Sequence, residues 1–349
     1  MKEKNIPRIE RSFWERRCRG GLFAVLFLLA APGALFAQRT ITLKLASMAP
    51  ENTPWGAALN RIAAEWSAIS KGEVELRVYH NGVAGGEADV LRKLKLNQIQ
   101  GVVLTSAGLN LIDPQIMTLS TPFLIRNDAE LDRVLRDLQP LLEENINKQG
   151  FFTLAWAKSG WVKIFSRREV FVPQDLKRQK LGLSPETPEL GQAFKVMGYQ
   201  MVPTMLQDTL SALNSGMIDA VCQSPALVGG MQVFGIAKHM ASINIAPFMG
   251  SIVLNKRAWD RVPEAYKPRI AAASRRIANE MGASITQMEA EVIRTMTGLG
   301  LKVNQLSPDQ EQAWYTDVEG AMPNLLESTF NRELYQKITS ILQQYRSGR

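Results

Sequence analysis

Apolar and polar residues alternate strictly in "ITLKLA" at 41–46, which puts Ile41, Leu43 and Leu45 on one face of a strand. Directly afterwards the period changes: Trp55, Leu59, Ile62, Trp66 and Ile69 recur at helical spacing. "EVELRVY" repeats the strand pattern, "GGEADVLRKLKLNQ" reads as a helix and "IQGVVLT" as a third, more buried strand. A βαβαβ order of this kind predicts an α/β fold with a largely parallel sheet.

A second pass of the same kind follows. "FFTLAWA" and "WVKIFS" read as two strands and "KLGLS" as another, followed by a helix over 188–197. "YQMVP", a helix over "DTLSALNSG" and the strand "MIDAVC" complete it, with "SIVLN" as a later strand. Two α/β units in one chain predict two lobes with a ligand cleft between them. Residues 263–299 keep a helical pattern throughout, far beyond the length of an average helix. A helix lying across both lobes explains that length without a coiled-coil partner. Shorter helices are predicted at 308–327 and 332–345. The lobes are drawn as 38–159 with 249–288, and 160–248 with 289–349.

Residues 1–37 read as a cleavable signal peptide: a basic stretch from Lys2 to Arg19, an apolar run from Leu22 to Ala31, a Pro-Gly break and a small-residue site ending at Ala37. The apolar run is about half the ~20 residues that a spanning helix needs. Export to the periplasm is therefore expected. Loss of Cys18 with the leader would leave Cys222 as the sole thiol, so no internal disulfide is expected and stability must come from the core. The formal charge of +8 also changes meaning, because seven of the 41 Lys/Arg and three of the 33 Asp/Glu lie in the leader. The rest carries only about +4, spread along the chain, which does not fit a nucleic-acid surface.

Candidate chemistry is thin. The only histidines are His80 and His239, and no His/Cys/Asp/Glu cluster has ligand spacing, so neither a metal nor another cofactor is implied. A hydrolase would have to use Ser106 or Cys222 with His80, without any acidic partner near them in sequence. "NGVAGGE" opens a helix as a phosphate loop would, but lacks the G-x-G-x-x-G spacing. A structural turn, with Glu87 in the favourable first turn of the helix, is the better reading. What remains at the predicted strand ends is aromatic and neutral: Trp55, Thr105, Ser106, Trp156, Ser159, Trp161, Tyr199 and Gln223. Strand ends of this kind face the crevice in open α/β sheets.

The blocks "AGGEADVLRKLKLNQIQGVVLTSAGL", "TPFLI", "MGYQMVPTMLQDTLSALNSGMIDAVCQSP" and "LNKRAWDRVP" resemble the extracytoplasmic substrate-binding proteins of TRAP (tripartite ATP-independent periplasmic) transporters, the DctP-type family. In the third block Gly198, Pro203, Asp208, Ala212-Leu213 and Gly216 with Asp219 keep the family's spacing end to end. The resemblance implies a two-lobed binding protein without catalysis, a small-molecule ligand, and delivery to TRAP permease subunits in the membrane. It also implies, for a subset of systems, an additional tetratricopeptide-repeat protein.

Many members of that family hold a carboxylate with an arginine in a Lys-hydrophobic-Arg strand. Here that strand is "KLGLS", with Gly182 in the arginine's place, and the family's asparagine aligns with Gln223. Removing a planar bidentate donor removes the charge-assisted pair. Gly182 is therefore expected to make room for an apolar or amphiphilic ligand lined by Trp55, Trp156, Trp161, Tyr199 and Leu206. The competing expectation is an organic acid held by a replacement cation, Lys163, Arg167 or Arg168.

Overall fold

A computed structural model of the chain describes residues 40–185 and 187–348; the predicted leader lies outside them. Ten strands form one mixed sheet: β1 (Ile41–Ala46), β2 (Val74–Tyr79), β3 (Gly101–Thr105), β4 (Phe151–Ser166), β5 (Lys180–Leu183), β6 (Gln200–Pro203), β7 (Ala220–Gln223), β8 (His239–Ala241), β9 (Ala246–Asn255) and β10 (Lys302–Asn304). Around them lie α1 (Pro54–Ser70), α2 (Glu87–Lys95), α3 (Ser106–Asn110), α4 (Asp128–Lys148), α5 (Pro173–Lys177) and α6 (Pro188–Val196). The chain continues through α7 (Thr209–Asn214), α8 (Pro225–Gly230), α9 (Lys256–Asp260), α10 (Lys267–Gly298), α11 (Pro308–Ser328) and α12 (Arg332–Arg346). No helix among the described residues is long and apolar enough to cross a membrane.

The strand order is β2-β1-β3-β9-β4-β7-β5-β6, with β8 and β10 attached beside β4. The flanks are parallel as expected, β2-β1-β3 on one side and β7-β5-β6 on the other. The middle is not: β9 runs antiparallel to both β3 and β4, and β4 runs antiparallel to β7. Chain direction explains this correction. β4 carries the chain out of the first parallel group and into the second, and β9 brings it back beside β4.

"FFTLAWA" and "WVKIFS" are one strand of 16 residues and not two. The ladder to β9 slips between Lys158 and Trp161, and Gly160 has φ +98° in the slip. That is a β-bulge at which only glycine sits without strain.

The predicted long helix is present as α10, 32 residues. Gly282 lets it close on β4, where a Cβ would stand 3.4 Å from the Lys158 carbonyl oxygen. Its Ile270, Ile277, Met281 and Ile285 belong to the core shared with α1, and Val292, Ile293 and Met296 to the core beneath β7 and α8. One helix thus packs on both halves of the sheet. Trp66 Nε1 donates to Ser274 Oγ at 3.0 Å and fastens α1 to it inside the core.

α4 has no counterpart in the sequence reading, although Leu131, Val134, Leu138, Leu142 and Ile146 make a regular buried stripe. The sequence reading put α12 in the second lobe. Its Leu334, Ile338 and Leu342 instead pack with the α4 stripe in the core of the first half. The attachment is locked by charge: Arg346 reaches both oxygens of Glu130 at 2.8 Å, and Glu130 also accepts the Arg126 backbone N–H. Arg346→Met leaves this buried carboxylate without its cation. The expected loss is roughly 2 to 3 kcal/mol in urea unfolding, below the 3–5 of a fully buried pair because Arg346 is partly exposed.

Candidate functional site

The carboxyl ends of the parallel strands in the two halves are set along the same stretch of β4. On the first side Thr105 of β3 stands opposite Gly250 of β9, which stands opposite Ala157 of β4. On the second side Gln223 of β7 stands opposite Lys163 of β4. Five residues of one strand, 158–162, with the Gly160 bulge among them, separate the two sets of strand ends. This is where an open α/β sheet takes its ligand.

In the first half, Thr53 caps α1 by accepting the Gly56 N–H, and Pro54 opens the helix. Trp55 then lies over β9, its ring 2.8 Å from where a Cβ on Gly250 would stand, and donates Nε1–H to Ser159 Oγ at 3.0 Å. So Trp55 and Ser159, predicted separately, are one unit that joins α1 to the bulge of β4.

Thr105 serves a structural purpose. Its N–H and Oγ1 both donate to the Glu87 carboxylate, at 2.5 and 2.9 Å. The "NGVAGGE" loop is the predicted turn, with Asn81, Gly82 and Gly85 at positive φ, and Glu87 stands in the first turn of α2. Ser106 Oγ and Trp156 Nε1 are buried without hydrogen-bond partners, so both keep unused polar capacity. Trp161 is buried in the same core as Trp156 and donates Nε1–H to Asp128 Oδ1 at 3.1 Å.

In the second half the expectation for Gly182 is corrected. A Cβ there would lie 2.7 Å from Ile218 Cδ1 and 3.2 Å from Thr204 Oγ1. Ile218 and Thr204 take up the space immediately beside Gly182. Tyr199 borders a recess of about 470 Å3 shared with Leu183, Pro188 and Met201. Its phenol, however, donates to Asp317 Oδ2 at 3.0 Å, and burial together with that carboxylate pushes its pKa up. Leu206 is partly exposed just beyond β6, and Gln223 ends β7.

Of the three replacement cations, two are engaged elsewhere: Arg167 donates to the Leu213 carbonyl and Arg168 to the Arg178 carbonyl. Lys163 is different. Its ammonium donates to Ser242 O at 3.0 Å and to Asn244 Oδ1 at 2.7 Å, both neutral acceptors. Burial depresses its pKa to about 8, against a smaller opposing pull from Glu289.

No nucleophile and base meet here. His80 faces Asn60 at 2.9 Å at the end of β2, His239 faces Asn304, and Ser106 Oγ bonds to neither. The Cys222 thiol is buried and its pKa is pushed up, the opposite of an activated thiolate. Among the described residues no group of three or more His, Cys, Asp or Glu could hold a metal ion.

The sequence reading missed Asn110 and Glu189, whose 2.8 Å hydrogen bond joins α3 of the first half to the first turn of α6 in the second. No local signal marks such a pair. It also missed Glu289, which does carry one: a single acid in the apolar stripe Ile277, Met281, Ile285, Val292 and Met296 of α10.

The profile of bacterial extracellular solute-binding protein family 7, DctP, matches residues 45–329. A solute-binding protein of Verminephrobacter eiseniae is 24% identical over 271 residues, which is 76% of this chain and 79% of the relative. Among solved structures, a TRAP periplasmic solute-binding protein of Ralstonia eutropha with bound (S)-2-acetolactate superposes with a TM-score of 0.76 at 19% identity, covering 87% of this chain and 99% of that one. A second, from Sulfurospirillum deleyianum with bound succinate, has a TM-score of 0.73 at 20% identity, covering 86% and 98%.

Placing an arginine at Gly182 should cost stability unless Ile218 is cut back. Gly182→Arg is expected to lower unfolding free energy by about 1–3 kcal/mol through overpacking, and Ile218→Ala in the same chain to recover part of that. Thermal unfolding of the single and double variants measures both.

Proposed function

The chain belongs to the bacterial extracellular solute-binding protein family 7, whose members bind solutes and do not catalyse, and from that membership we propose that it captures a small organic acid in the periplasm and delivers it to a TRAP permease. The cleavable leader at 1–37 is part of this reading. The two lobes meet at 159/160 on β4, at 248/249 on β9 and at 288/289 on α10, with α12 now assigned to the first lobe. In this reading the cleft closes between Trp55 of α1, Ser106 at the start of α3 and Ser159 of β4 on one side and Gln223 at the end of β7 on the other.

The observation that carries the ligand class is Lys163, a mostly buried ammonium beside the end of β7 whose hydrogen bonds go to neutral oxygens. Glu289 offsets only part of the burial of this ammonium; a buried charge that is incompletely compensated is costly, and an anionic ligand offsets that cost. Ser106 Oγ and Trp156 Nε1 are polar groups still free to bond the rest of such a ligand. The proteins from Ralstonia and Sulfurospirillum, with acetolactate and succinate bound, fit the same class.

A second reading, an apolar or amphiphilic ligand, draws on one observation: Ile218 fills the place beside Gly182 where many relatives are expected to present an arginine. Nothing in the family match or the relatives speaks for a tetratricopeptide-repeat partner, and the proposal leaves it out.

Titration calorimetry of ligand-stripped protein against mono- and dicarboxylates tests the reading. Lys163→Met is expected to weaken binding at pH 7 by 10-fold or more, since a charged hydrogen bond is worth about 1.5–3 kcal/mol. Wild-type affinity should fall as pH rises through about 8, because Lys163 is cationic below that value and neutral above it. Unchanged binding in Lys163→Met, or an uncharged molecule released in stoichiometric amount from natively purified protein, would move the assignment to the apolar reading.

A further inference from the structure

We propose that the Glu289 carboxylate is the pin of the hinge between the two halves: when protonated it stays packed against the Gly160 bulge, and when ionised it favours an arrangement in which the hinge is loosened and hydrated.

Glu289 stands at the one level of α10 where the helix passes from one core to the other. Ile285, one turn earlier, belongs to the core with α1, and Val292, one turn later, to the core with α8. At the same level the ladder between β4 and β9 breaks register around Ser159 and Gly160 and resumes at Trp161 opposite Pro247, which has no N–H to donate. Helix and strands therefore cross between the halves side by side, and any rotation of one half against the other must bend them there.

The Glu289 carboxylate fills the space between these crossings. A Cβ on Gly160 would overlap it, so glycine is required both for the bulge and for this contact. The Trp161 backbone N–H donates to the carboxylate, while Oε1 is buried without a partner. An ionised carboxylate with one bare oxygen is poorly solvated in this position, and loosening the bulge is what would admit water to it.

The charged groups that face it are Lys163 of β4, which favours the anion, and Asp128 of α4, which opposes it. α8, packed on the next turn of α10, is Pro-Ala-Leu-Val-Gly-Gly and contributes no charge. Burial is the largest influence, and the carboxyl pKa is raised to about 7. Because this value lies above the ordinary one of 4.5, the packed arrangement is favoured by a proton and loses that advantage as pH rises through about 7.

The test needs no ligand, so it fails or succeeds separately from the assignment of Lys163. Spin labels are placed on Ala88, exposed in the first half, and Gln192, exposed in the second, and their distance distribution is recorded by double electron–electron resonance from pH 5.5 to 8.5. The expected result is a shift between two populations with a midpoint near 7 in the wild type, absent in Glu289→Gln. Lys163→Gln, which leaves Glu289 in place but removes its nearest cation, should move the midpoint to higher pH. A wild-type distribution that does not change with pH, or a Glu289→Gln protein that shifts as the wild type does, overturns the proposal.

Discussion

The ladder between β4 and β9 is the set of interactions on which the rest of the fold depends. Each strand pairs in the first half, and β4 runs on to pair with β7 in the second. Breaking this ladder would leave two parallel groups without a common frame. Its antiparallel direction follows from connectivity: a chain that leaves one α/β unit for another and returns lays its two crossings side by side in opposite senses. The bulge at Gly160 is the concession in that frame, since a ladder that is continuous and regular transmits every motion, and one that slips by a residue can bend.

The same economy holds for the helices. α10 could have been two helices, one for each core, but a single rod of 32 residues keeps both cores attached to the crossing strands. The cost is a long apolar stripe spanning a boundary where the sheet itself changes partners. Glu289 interrupts that stripe at the boundary, and Gly160 is the residue that makes the interruption possible. Helix α12 plays a comparable role for the first half, returning from the far end of the chain to cover α4 and bringing Arg346 to Glu130.

Chemically the cleft is a place for holding and not for transforming. Among the described residues His80 is engaged with Asn60 and His239 with Asn304, the Cys222 thiol is buried with its pKa pushed up, and Ser106 Oγ has no hydrogen-bond partner. What the cleft retains is a set of anchored indoles, a few unsatisfied polar atoms and one cation with neutral partners. Such a set can desolvate a small ligand and recognise its charge. Binding without catalysis is the role of the solute-binding family to which the chain belongs.

The sequence by itself determined most of the elements and their order, α4 being the main omission. Period-two runs became β1 and β2, the more buried run "IQGVVLT" became β3, the period-3.6 stripe of 263–299 became α10, and the shortage of reactive groups pointed to binding ahead of catalysis. These properties are local or compositional, and a residue's burial leaves its mark on the spacing of its neighbours. Only the tertiary structure decided what each buried side chain lies against. "FFTLAWA" and "WVKIFS" look like two strands because Lys-Ser-Gly reads as a break, and become one because β9 pairs across it. Gly182 looks like an opening, and Ile218, 36 residues away, packs directly beside it. Tyr199 looks like a cleft aromatic with a free hydroxyl, and Asp317, 118 residues away, engages its phenol. Pattern records that a position is covered; the identity of the cover is set by residues distant in sequence, and no spacing rule reaches them.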